Sequence, residues 1–192
     1  MEKLRASMQF GGILSQEEIS LALESFVQEI YQPGSEFQSI GKTVTRLGFV
    51  EKGILRVFHC PKDEQEVTRY FVREGQYAVD LESYYSNQPG ENTFQAVVYT
   101  EIYSINRTAW NRLSEQIPKL YLLSKSLTEA TLLNKIKDND FLQYGTGKEK
   151  YLEFLKRYPD LALQVPLQHI ASYLQVTPQS LSRIRRELAG KG

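Results

Sequence analysis

Apolar positions near the start of the chain recur at spacings of three and four. Ile19, Leu23, Phe26, Val27 and Ile30 fall on one helical face. Ser15 followed by Glu18 has the form of a capping box, in which hydroxyl and carboxylate each satisfy a backbone N–H that the first turn would leave orphaned. Pro33-Gly34 ends the pattern, which therefore predicts a helix over residues 15–32. From about 35 to 105 the texture changes. Short segments rich in Val, Phe, Tyr and Thr, at 47–51, 54–60, 66–72, 94–99 and 101–105, alternate with Gly53, Pro61-Lys62-Asp63, Gly75 and Gln88-Pro89-Gly90. Closely spaced strands with turn signals between them predict a small antiparallel sandwich or barrel. The gaps are too short for the crossover helices of a parallel sheet.

After residue 106 the helical period returns. A helix over 108–116 stops near Pro118, and a long one over about 118–142 follows. Its apolar side carries Leu120, Leu123, Leu127, Ala130, Leu133 and Ile136, and Leu122 and Leu132 widen that surface beyond a narrow stripe. A helix apolar on more than one face needs more than one neighbour. Two readings stay open: a core helix within one chain, or a helix packed on its own domain with one side and on a partner helix with the other. Residues 144–147 are the candidate hinge, and a further helix over 150–157 is broken by Tyr158-Pro159-Asp160.

The richest stretch is 165–188. Pro166 opens a helix with Leu167, Ile170, Ala171 and Leu174 apolar; Thr177 then caps a second helix with Pro178 at its first position, and that helix buries Leu181, Ile184 and Leu188. Two short helices, a tight turn and a small Ala171 at their close approach make a helix-turn-helix, whose second helix enters the DNA major groove. Gln179, Ser180 and Arg183 sit near the start of that helix, where a guanidinium suits guanine and a Gln amide suits adenine. Thr177, Arg185, Arg186 and Lys191 are the candidate phosphate contacts. Gln175 occupies the turn position where glycine is common, so it is expected in the left-handed region.

Composition bounds the chemistry. The 192 residues carry 23 Lys plus Arg against 23 Asp plus Glu, so total charge does not announce a nucleic-acid partner. The 178–192 segment nevertheless holds Arg183, Arg185, Arg186 and Lys191 against Glu187, a local +3 balanced by −3 elsewhere. One cysteine, Cys60, cannot form an internal disulfide or hold an iron–sulfur cluster, and two distant histidines, His59 and His169, cannot supply a cupin-type metal site. No metal, cofactor or enzyme activity is expected. No apolar run exceeds four residues, which argues against a membrane partner, and the chain is expected in the cytoplasm.

The order of these pieces resembles the Crp/Fnr family of transcription regulators. The segment from Leu47-Gly48-Phe49 through Gly53-Ile54-Leu55-Arg56-Val57-Phe58 is similar to that family's strand–Gly turn–strand core, and Arg73-Glu74-Gly75-Gln76-Tyr77 to its next turn. Ile170-Ala171-Ser172-Tyr173-Leu174 through Leu181-Ser182-Arg183-Ile184-Arg185-Arg186 resembles its DNA-binding helices. The resemblance implies an α+β chain: an antiparallel β-roll (double-stranded β-helix or jelly roll) and long dimer helix over 1–142, then a helix-turn-helix domain over 147–192 without a following wing. It implies a homodimer through Leu120, Leu123, Leu127 and Ala130 that binds palindromic double-stranded DNA, and leaves room for RNA polymerase as a further partner. It also implies an effector pocket, matching Asp80, Tyr84, Tyr85, Glu91, Asn92, Phe94 and Gln95. These residues either enclose an unidentified small-molecule effector or fill the core of a roll that has lost one. The family's phosphate-clamping arginine falls on Gly90 and the next position on Glu91, which argues against cyclic AMP or GMP. The alternative is a ligand- or protein-binding roll whose C-terminal helices do not touch DNA.

Overall fold

The computed structural model describes residues 1–60 and 65–190, and the turn expected at 61–63 lies outside them. The chain begins with α1 (Glu2–Met8), which periodicity did not reveal, and a 3-10 turn at Phe10–Gly12 leads into α2 (Gln16–Glu24). The Ser15–Glu18 capping box opens α2 as expected. The helix nevertheless ends at Glu24 rather than running to 32. Residues Val27–Tyr31 instead form β1, every residue of which pairs with β8 (Thr100–Asn106). Val27 and Ile30, expected on a buried helical face, are exposed on this edge strand. Here a ladder from a distant strand outweighs the local helical period.

The remaining strands are β2 (Glu36–Gln38), β3 (Arg46–Lys52), β4 (Ile54–His59), β5 (Val67–Arg73), β6 (Tyr77–Ala78) and β7 (Thr93–Ala96). The antiparallel pairs build two four-stranded sheets, ordered β1-β8-β3-β6 and β2-β7-β4-β5. This is the expected β-roll. Its interior holds Phe37, Val50, Leu55, Val57, Val72, Ala78, Phe94, Ala96 and Ile102. Strands β2 and β6 are too short to show alternation in sequence. Between β6 and β7 lies α3 (Leu81–Ser86).

Helices α4 (Arg107–Gln116) and α5 (Leu120–Gln143) leave the roll. The start of α5 is sunk in a second core in which Leu4, Met8, Ile19 and Leu23 from the first helices meet Phe49, Tyr103, Ile105, Leu113 and Ile117. The C-terminal part contains α6 (Gly147–Arg157), α7 (Pro159–Gln164), α8 (Leu167–Tyr173) and α9 (Pro178–Ala189). Gly145 (φ +93°) turns the chain out of α5, and a Thr146–Glu149 capping box starts α6. Residues 158–160 break α6, but Pro159 also opens α7 at a position where its missing N–H costs nothing. A third core joins this part to the roll: Ile54, Tyr70, Phe71, Val97 and Val98 pack with Leu142, Phe154, Ile170, Tyr173 and Leu181.

Gly53, in the β3–β4 turn, meets two demands at once. Its φ of +96° favours glycine, and a Cβ there would lie 2.5 Å from the Tyr99 carbonyl oxygen. Gly53→Ala is expected to lower stability by about 2–4 kcal/mol, read as a shift in urea midpoint at unchanged slope. Gly75→Ala, at φ +79° but with open space around it, is expected to cost only about 1 kcal/mol.

Candidate nucleic-acid interface and roll interior

Helices α8 and α9 meet through Ile170, Ala171, Leu174, Leu181 and Ile184, all buried. Ala171 has no exposed surface, and its carbonyl accepts a bond from Val176 N–H at 3.0 Å, which closes the turn. Gln175 takes φ +58°, the left-handed conformation expected of it. The Thr177 hydroxyl accepts from Ser180 N–H at 3.1 Å, and Pro178 stands in the first turn of α9. Pro178 has no N–H, and Ser180 and Leu181 give theirs to Thr177, so Gln179 N–H is the one first-turn amide left beside the positive end of the helix dipole.

Burial of Leu181 and Ile184 decides what the opposite side of α9 offers. At about 100° per residue, Gln179, Arg183 and Arg186 cluster on the face away from the core, and all three are exposed. Arg183 makes only a loose contact with Glu187 (3.8 Å), which leaves its guanidinium available to another partner. Ser180 differs from the expectation. It is half-buried, and its hydroxyl bonds Thr177 Oγ1 at 2.9 Å, so the cap engages it. Arg185 is exposed, but it sits about 160° around the helix from Arg183 and leaves the outer face for a flank. Lys191 lies outside the described residues.

In the roll, Asp80 caps α3 by accepting from Ser83 N–H at 3.3 Å and receives a second bond from Asn92 Nδ2 at 2.8 Å. Phe94 is fully buried and meets Tyr70 edge-on at 6.5 Å. Tyr84 is buried under the Arg107 guanidinium, 4.6 Å from its ring centroid. The other three positions do not line the interior. Tyr85 is 80% exposed because one helical step turns it away from Tyr84, and Glu91 is exposed on its turn. Gln95 follows Phe94 on the strand and so faces the other side of the sheet, where its amide donates to the Gly34 carbonyl at 3.1 Å.

Sequence reasoning missed Gln38, Tyr70 and Lys135 beside this interior. Both polar atoms of the Gln38 amide, and Asn92 Oδ1, are buried with no hydrogen-bond partner among the described residues. A Cβ on Gly90 would stand 3.3 Å from Gln38 Nε2 and 3.4 Å from Asp80 Oδ2. From α5, Lys135 brings its ammonium 3.8 Å from the Tyr70 ring centroid. Desolvation there lowers the ammonium's pKa, against the pull of the Asp80 carboxylate. Burial, with Asp80 second, pushes the Tyr70 hydroxyl up to about 12. No local pattern marks Lys135, since only the docking of α5 on the roll brings it to Tyr70.

The exposed side of α5 is not the side that carries the residues expected at a dimer contact. Leu120 and Leu123 are buried within the chain's own core, Leu127 packs partly against it, and Ala130 is half-buried. Leu122, Leu132, Leu133 and Ile136 are each half or more exposed. No helix among the described residues is long and apolar enough to cross a membrane.

Residues 28–116 match the cyclic nucleotide-binding domain family. The chain matches no curated protein sequence. The c-di-GMP-responsive global regulator CLP of Xanthomonas campestris superposes with a TM-score of 0.75 at 13% identity, covering 93% of this chain and 93% of that one. FixK2 of Bradyrhizobium japonicum gives 0.69 at 17% identity over 87% and 86% of the two chains. The catabolite activator protein of Thermus thermophilus gives 0.53 at 24% identity over 95% and 87%. The chain therefore has the fold of the Crp/Fnr-type regulators, with a cyclic nucleotide-binding domain match at residues 28–116.

Proposed function

We propose that this protein is a cytoplasmic, homodimeric transcription regulator without enzymatic activity, which reads a palindromic DNA site through α9. The observation that carries this reading is the outer face of α9. Gln179, Arg183 and Arg186 stand exposed on one side of a capped helix whose other side is locked into a helix-turn-helix core. The solved proteins of the same fold include a global regulator and an activator protein, which supports the same reading.

The dimer contact follows from what the roll leaves uncovered. Leu122, Leu132, Leu133 and Ile136 leave an apolar strip on the outer side of α5, crossed by the Lys125–Glu129 pair, and this strip is the surface proposed for a second α5. An α5 pair joined there presents two α9 helices to half-sites about 34 Å apart. With total charge at zero, binding depends on both helices engaging together.

For the roll, crowding argues against a cyclic nucleotide. The place of a phosphate-clamping arginine is Gly90, and Gln38 and Asp80 already stand within 3.4 Å of any Cβ there. Asp80, held by Ser83 N–H and Asn92, keeps a carboxylate beside that position, and an anion brought next to it out of water would be repelled. The second reading is a binding module that never touches DNA, and a salt titration on duplex DNA separates the two. Selection of duplexes from a random pool is expected to return a palindrome, and no binding at low salt overturns the regulator.

Three variants test the parts. Arg183→Ala is expected to cost about 1–3 kcal/mol on the selected site and to relax discrimination at one base position. Arg186→Ala is expected to weaken binding to all sequences alike and to reduce the log–log salt slope by about 1. Leu132→Glu, on the exposed seam, is expected to give a folded monomer by sedimentation that binds the palindrome no better than one half-site.

A further inference from the structure

Strand β5 is the outermost strand of its sheet, so its outward backbone groups have no neighbouring strand to pair with. A bulge alters which side chains face outward. Arg56 pairs with Phe71 and Val57 with Tyr70, but Phe58 pairs with Thr68, so Arg69 is an extra residue. Side chains alternate along a strand, and the extra residue turns Thr68 to the same outward face as Arg56, Phe58 and Phe71. There Arg56, 2% exposed, donates from Nε to Thr68 Oγ1 at 2.8 Å and from Nη1 to Glu66 at 2.5 Å. Its guanidinium lies 4.3 Å from the Phe58 ring centroid.

The first helix of the helix-turn-helix lies on this platform. Ser172 Oγ accepts from Thr68 N–H at 2.9 Å and donates to the Glu66 carbonyl at 3.3 Å. One hydroxyl thus does for the edge what a neighbouring strand residue would do, taking an amide and giving to a carbonyl. The adjacent Tyr173 ring meets Phe71 at 5.5 Å and Phe154 of α6 at 5.9 Å. Nearby, the Arg73 guanidinium lies 4.8 Å from the Tyr158 ring centroid. A crevice of about 40 Å³ remains between Tyr70, Phe71 and Arg73 on one side and Tyr158, Leu161 and Tyr173 on the other. On its inner face the same strand holds Tyr70 against Phe94 and under Lys135.

We propose that Ser172 is a positioning residue that latches α8 to the bulged edge of β5, and so sets where α9 stands relative to the dimer helix. The latch itself is read without DNA; its consequence rests on the DNA-binding function proposed above. In a dimer, each roll is fixed to α5 and each α9 to α8. The Ser172 contacts then determine the separation of the two recognition helices. Loss of the hydroxyl leaves the platform apolar contacts in place but frees the helix-turn-helix to rock, which trades a set half-site spacing for a spread of spacings.

The test uses the full chain as Ser172→Ala, with Ser172→Thr as the conservative variant that keeps the hydroxyl. Amide exchange at Thr68, measured without DNA, is expected to quicken about fivefold or more in Ser172→Ala, the effect of losing one hydrogen bond, and to return toward the original rate in Ser172→Thr. Affinity is then compared on the selected palindrome and on a copy with one base pair inserted between the half-sites. Ser172→Ala is expected to bind the native spacing about three- to tenfold more weakly and to lose most of the penalty for the insertion, while single half-site binding stays unchanged. Unchanged Thr68 exchange overturns the latch. Quickened exchange with the same insertion penalty overturns its positioning role. Absence of duplex binding by the unaltered protein, together with quickened exchange, overturns the DNA-binding function while leaving the Ser172–Thr68 contact established.

Discussion

Strand β4 has almost no solvent face, and the arrangement of the molecule follows from covering both of its sides. Leu55 and Val57 point into the roll. Ile54, Arg56 and Phe58 point the other way and are buried as well. A lone antiparallel sheet usually keeps one side wet. Here the outward side is covered by the helices that follow α5, and Ile54 belongs to the same apolar cluster as Phe154, Ile170 and Leu181. The buried Arg56 makes that cover selective. Its charge is tolerable out of water because Glu66, Thr68 and the Phe58 ring all meet it. The roll and the helix-turn-helix are therefore not two beads on a hinge. They share a core, and the hinge glycine Gly145 turns the chain back so that they can.

Helix α5 meets the same constraint along its length. Its first turns carry Leu120 and Leu123 into the core under α1 and α2, while Leu142 near its end reaches the cluster around the helix-turn-helix. Between these anchors Leu132, Leu133 and Ile136 turn outward, while Lys135 lays its ammonium over the Tyr70 ring. One helix thus touches the roll, the C-terminal helices and the surface proposed for a second chain.

Much of this was legible in the residues themselves. The capping box at Ser15, the turn glycines Gly53 and Gly75, strands β3, β4, β5 and β8, the helix-turn-helix and the left-handed Gln175 all depend on short-range chemistry and are where the pattern put them, whereas the strand expected over 94–99 ends at Ala96. Two of the differences came where a distant partner overruled a local preference, and the others from which way a neighbouring residue faces. Val27–Tyr31 continues a helical period but pairs with β8. Leu120 and Leu123 share a helix face with residues farther along, yet α1 and α2 bury the first pair. Tyr85 and Gln95 stand next to interior residues in sequence, but one step along a helix or a strand turns each away from the interior. In the recognition helix, Ser180 has the right type and place for base contact, and the Thr177 cap engages it.

By itself the sequence determined the longer strands of the roll, the helices that follow them, their order, and the polar residues that α9 must expose once Leu181 and Ile184 are buried. These follow from periodicity, capping and turn conformation, each set within a few residues along the chain. Only the tertiary structure decided which face of α5 stays uncovered, which of the candidate roll residues meet inside it, and that the helix-turn-helix rests on an edge strand through Ser172. Those outcomes hinge on contacts between residues up to about a hundred positions apart, such as Thr68 with Ser172. A bulge of one residue in β5 reverses which side chains face the helix, and nothing in the local pattern of 66–72 marks that extra residue.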